Sequence, residues 1–122
     1  MADPDDLMIS PMELNEKLQD PDLPPQVIDV RPQDAYHTGH IPDAVNIPGD
    51  EIAESLKQVD SRRPVVVYCN MRHPGESSSE KAAQQLNAVG IQAYVLQGGL
   101  PAWEEAGFPV DRGERFQQYG KA

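Results

Sequence analysis

Five short apolar runs alternate along this chain with stretches of helical spacing, and few folds accept that order. The runs occupy residues 7–9, 26–30, 44–47, 65–69 and 93–96. The second and fourth are dominated by Val and Ile. A strand half open to water would alternate polar and apolar residues, so these two read as strands buried within a sheet. Ser10-Pro11-Met12-Glu13 reads as a helix start: Ser10 caps, Pro11 suits the first turn and Glu13 closes the capping box. Met12, Leu14 and Leu18 form that helix's apolar side, and Pro21, Pro24 and Pro25 end it. Pro32 opens a short helix through Tyr36 and His37, stopped by Gly39. Ile52, Leu56 and Val59, spaced by four and three, predict another amphipathic helix. Ala82, Ala83, Leu86 and Val89 predict a further one, closed by Gly90. Gly98-Gly99 turns the chain into a last short helix that carries Trp103 in the core and ends at Gly107. Strands joined by helical crossovers define an α/β fold, a parallel sheet with helices on both faces.

In such sheets ligands collect beyond the carboxyl ends of the strands. Three of those ends carry chemistry here: Asp29-Val30-Arg31, Cys69 with its polar loop, and Gln97-Gly98-Gly99. The length of 122 residues fits a single domain over 1–122, with a core from about 7 to 110 and a polar tail over 111–122. Ten basic against 20 acidic side chains give a formal net charge of −10, which repels phosphate backbones and anionic membranes. Neither nucleic acid nor a membrane is therefore an expected partner. The opening residues lack the basic and apolar regions of a secretory signal, so a cytoplasmic address is the expectation. A single cysteine excludes an internal disulfide.

That cysteine has two readings. A lone Cys ending an apolar strand is commonly an inert core residue. The residues after Cys69 favour a nucleophile. Asn70, Met71, Arg72 and His73 are followed by a Pro74-Gly75 turn, Glu76, and a helix starting near Ser77 to Ser79. The strand thus delivers sulfur to a loop leading into a helix N-terminus, where free main-chain N–H groups and the helix dipole favour an anion. A thiolate is stabilised in such a place. Arg72 and His73 reinforce it, and Glu76 opposes it if turned inward. Ser77, Ser78 and Ser79 read as helix caps, or as donors to a bound anion.

Here the chain resembles the rhodanese family. Tyr36-His37-Thr38-Gly39-His40-Ile41-Pro42-Asp43-Ala44-Val45-Asn46-Ile47 looks like its amino-terminal signature, and 27–31 matches the strand before it. Val65-Val66-Val67-Tyr68-Cys69 is similar to the family's catalytic strand; 95–99, Trp103 and 107–110 match its carboxyl end. The resemblance runs from about residue 7 to 110. It implies a three-layer α/β/α sandwich around a five-stranded parallel sheet, and a Cys69 that accepts sulfane sulfur as a persulfide. On that reading the enzyme is a thiosulfate sulfurtransferase. Cys69 is its nucleophile. Asn70, Met71, Arg72, His73, Gly75, Glu76, Ser77 and Ser78 line the substrate site, and Asp29 and Arg31 support it. The partners are a small sulfur donor, such as thiosulfate or a persulfide, and a thiol, cyanide or protein acceptor. No cofactor or metal is implied. Two departures stand out: the loop after Cys69 is longer than the family's common one, and Asp43 replaces a usual glycine.

Other readings remain open at this stage. One is a rhodanese-like module that binds a partner or regulates without catalysis. Another is a cysteine phosphatase, which needs an arginine at the sixth position after the cysteine, where Gly75 stands. Asp29 and Arg31 read as a structural ion pair or as pocket lining. His40 reads as a loop brace. His37, His40, His73 and Cys69 do not follow a metal-ligand spacing.

Overall fold

The computed structural model describes residues 7–55, 59–69 and 78–112, Ser78 by its backbone alone. The elements follow in the order β1 (Met8–Ile9), α1 (Pro11–Lys17), β2 (Gln26–Asp29), α2 (Gln33–Thr38), β3 (Val45–Asn46), a 3-10 turn (Gly49–Glu51), β4 (Val65–Tyr68), α3 (Ser78–Ala88), β5 (Ala93–Leu96) and α4 (Gly99–Glu105). The strands form one sheet in the order β1-β5-β4-β2-β3, and every neighbouring pair is parallel. β4 lies at the centre with all its residues buried, which accounts for its unbroken Val-Val-Val-Tyr run.

Period-2 alternation divides the core between the two faces of the sheet. On one, Ile28, Val30, Val65, Val67 and Cys69 pack with Ala82, Ala83 and Leu86 of α3. On the other, Val27, Val66 and Tyr68 pack with Leu14 of α1, Tyr36 of α2, and Leu100 and Trp103 of α4. The Ser10 capping box is present in full: its Oγ accepts from the Glu13 N–H at 3.1 Å, and its own N–H donates to Glu13 Oε1 at 3.0 Å. α3 ends in a Schellman motif on Gly90 at φ +88°; Gly90 N–H donates to Asn87 O and Ile91 N–H to Leu86 O. The Asn87 side-chain amide then imitates a neighbouring strand, exchanging both hydrogen bonds with the Ala93 main chain.

Two expectations need correction. Gly49–Glu51 forms a 3-10 turn, residues 52–54 form turns, and no α-helix starts at Ile52. Leu56 lies outside the described residues. Ile52 and Val59 are nonetheless buried in the core, so their spacing reflects anchoring by tertiary contacts. Val89 is 56% exposed, and the residue that closes α3 over the core is Ile91, placed there by the Gly90 turn.

Candidate active site

β4 ends at Tyr68, and Cys69 is the first residue beyond it, at the carboxyl edge of the sheet. Two main-chain hydrogen bonds fix the chain there. The Tyr68 carbonyl accepts from Val30 N–H at 3.1 Å, and the Cys69 carbonyl accepts from Leu100 N–H, in the first turn of α4, at 3.0 Å. That approach depends on Gly98. Its φ is +79°, and a Cβ there would lie 2.5 Å from the Ala102 Cβ. The Gly98-Gly99 turn thus brings α4 against the Cys69 backbone, the third functional strand end meeting the second.

The Cys69 side chain follows Val65 and Val67 onto the α3 face, and it is 6% exposed. The sulfur is therefore not open to solvent as a loop nucleophile would be; the alternation of β4 carries it under α3. Its Sγ lies 3.4 Å from Ser79 Oγ in the first turn of that helix. Ser79 is itself buried. Ser79 was not among the expected site residues, and its signal was its phase: Ala82 and Ala83, three and four residues on, are the buried contacts of the same helix face. The expected substrate residues Asn70, Met71, Arg72, His73, Gly75, Glu76 and Ser77 lie outside the described residues, and so does the Ser78 side chain.

Asp29 and Arg31 lie on the opposite face, beside Tyr68, which pairs in register with Asp29. The Arg31 guanidinium grips the carboxylate, with Nε 3.0 and 3.1 Å from its two oxygens and Nη2 2.6 Å from Oδ2. Nη2 also donates to the Gly39 carbonyl at 2.5 Å, and the Arg31 N–H donates to Asp29 Oδ1 at 2.9 Å. Asp29 is 0% and Arg31 7% exposed. Burial works against the Arg31 charge, but the hydrogen bonds and charge of Asp29 outweigh it and raise the guanidinium above its ordinary range. Burial first, and then the Asp29 charge, push the Tyr68 phenol far above a free tyrosine. Its oxygen accepts from Ile41 N–H at 3.0 Å, and its ring lies 5.7 Å from the guanidinium carbon. Asn46 Nδ2 donates to the carbonyls of both Asp29 and Arg31, tying the edge strand to the same corner. This is a brace for the β2–α2 corner.

The His40 ring stacks on Tyr36, centroids 3.8 Å apart, and its Nδ1 lies 2.9 Å from the Tyr36 carbonyl. An N–H on Nδ1 satisfies that contact, and His40 braces the loop as expected. Among the described residues, no three His, Cys, Asp or Glu side chains are grouped to hold a metal ion, and no helix is long and apolar enough to cross a membrane.

The rhodanese-like domain family matches residues 10–106. The chain belongs to that family. Among rhodanese-like relatives, it is 39% identical to the thiosulfate sulfurtransferase GlpE of Shewanella oneidensis over 82 residues, 66% of this chain and 77% of that protein. It is 36% identical to the HTH-type transcriptional regulator Rv0324 of Mycobacterium tuberculosis over 87 residues, 71% of this chain. The match spans only 38% of the regulator. A rhodanese-like domain protein from Staphylococcus aureus superposes with a TM-score of 0.73 at 30% identity, covering 88% of this chain and 98% of that one. The rhodanese-like fold is thus the α/β fold described above, with its five-stranded parallel sheet.

Proposed function

We propose that this rhodanese-like chain is a sulfurtransferase that carries sulfane sulfur on Cys69. The observation that carries the reading is the placement of Cys69 just past the central strand, its Sγ 3.4 Å from a hydroxyl in the first turn of α3. The Cys69 thiolate attacks the outer sulfur of thiosulfate. A bond forms from Sγ to that sulfur, the bond to the sulfonate breaks, and sulfite leaves with the electron pair. Cyanide or a thiolate then attacks the outer sulfur of the Cys69 persulfide, and the pair returns to Sγ. This is a two-step covalent scheme. Arg72 binds the anionic donor, with Asn70, Met71, His73, Gly75, Glu76, Ser77 and Ser78 completing the site. Arg31 is committed to Asp29 on the other face and acts through the fold. The donor is thiosulfate or a small persulfide, the acceptor cyanide, a thiol or a partner protein, and the setting cytoplasmic.

A second reading has its own support. The low exposure of Cys69 and the similarity to a transcriptional regulator both suit a domain that binds or signals without turnover. One experiment separates the two. The protein is incubated with thiosulfate and its intact mass recorded without reductant. A gain of one sulfur atom, absent from Cys69→Ser, is the result expected. No gain in the wild-type protein overturns the transferase reading and leaves the binding module.

A further inference from the structure

We propose that Ser79 takes part directly in the transfer, its hydroxyl donating a hydrogen bond to the Cys69 sulfur whenever that sulfur carries the charge. The inference rests on the sulfurtransferase reading. The two side chains come from different parts of the chain, one just beyond β4 and one in α3, and meet with Sγ and Oγ 3.4 Å apart on the face that also buries Val67, Ala82 and Ala83. Ser79 is 3% exposed, so its hydroxyl does not simply serve solvent. In the thiol state either group can donate. In the thiolate state the sulfur has no proton, and the Ser79 hydroxyl must be the donor.

The transfer cycle makes this contact unequal between the two half-reactions. In the first, Sγ begins as an anion and ends bonded to the outer sulfur, which now holds the charge. A donor at Sγ lowers the reactivity of the attacking anion it stabilises, so in this direction Ser79 gives no gain. In the second half-reaction the Sγ–S bond breaks and the electron pair arrives on Sγ. There Ser79 stabilises the leaving thiolate, and nothing offsets the gain. Ser79 therefore matters most for discharge of the persulfide.

Ser79→Ala is the test. It deletes one oxygen and introduces the strongest helix former, so α3 is retained. The two half-reactions are followed separately at alkaline pH, by sulfite release on loading with thiosulfate and by thiocyanate formation on discharge with cyanide. Discharge is expected to slow about five- to tenfold, as suits loss of part of a hydrogen bond to a developing anion. Loading is not expected to slow, because the variant removes a donor that tempers the attacking anion. Ser79→Thr keeps the hydroxyl and is expected to restore discharge. Equal slowing of both half-reactions would mark Ser79 as packing alone and overturn the proposal, as would unchanged discharge. If the wild-type protein takes no sulfur from thiosulfate, the underlying reading fails first, and this inference with it.

Discussion

Replacing Arg31 with methionine removes the side-chain cation held against Asp29 while keeping an unbranched apolar stem in place. The wild-type guanidinium makes contacts of 2.6, 3.0 and 3.1 Å to the carboxylate and a fourth, of 2.5 Å, to the Gly39 carbonyl. After the change a fully buried carboxylate keeps the Arg31 main-chain N–H, now methionine's, and loses its countercharge. Breaking a buried ion pair from one side costs about 3–5 kcal/mol. A domain of this kind holds roughly 5–15 kcal/mol in all, so the variant forfeits about a fifth or more of its stability. Its melting temperature should fall on the order of 10–20 °C. Urea unfolding followed by the fluorescence of Trp103, the single tryptophan and 1% exposed, measures the loss. A double-mutant cycle with Asp29→Asn supplies the decisive number. Because each partner is buried chiefly for the other, the double variant should be less damaged than the sum of the singles, by about 1–3 kcal/mol. A single-variant loss below about 1 kcal/mol, or strict additivity in the cycle, would refute the view of Asp29–Arg31 as a coupled brace.

Two further predictions follow from neighbouring features. Because burial and Asp29 raise the Tyr68 phenol, the folded protein holds that proton after the unfolded chain has released its own, above about pH 10. The contribution is thus fully present below pH 10 and declines as pH rises further; Tyr68→Phe should flatten the alkaline fall in unfolding free energy, and an unchanged slope would count against it. Gly98→Ala places a Cβ into Ala102 at a φ of +79°, so it should lower stability by about 1–3 kcal/mol or more and slow persulfide formation as the Leu100 to Cys69 contact is displaced. A wild-type urea midpoint in this variant would contradict that geometry.

The parallel sheet and most of its elements were legible because local and tertiary preferences agree. Ser10-Pro11-Met12-Glu13 states a helix start by its own chemistry, and Val65-Val66-Val67 admits little but a central strand. The segment around Ile52 and Val59 misled because apolar spacing reports burial, and here both residues are buried without an α-helix starting at Ile52. The site was legible only in outline. Cys69, Asp29 and Arg31 were correctly placed at strand ends, yet nothing local says that Asp29 pairs with Tyr68, which puts the ion pair and the sulfur on opposite faces. Choosing among Ser77, Ser78 and Ser79 required the phase of α3, and Ala82 and Ala83 carried that phase in plain view.

The borders of the sheet bear on how this protein behaves in crowded solution. β1 and β3 are two residues each. Such stubs give an incoming chain almost no main-chain template to zip onto. With ten surplus negative charges holding copies apart, concentrated samples should resist fibril growth from the native state, and any aggregation should begin only after the central strand has been uncovered.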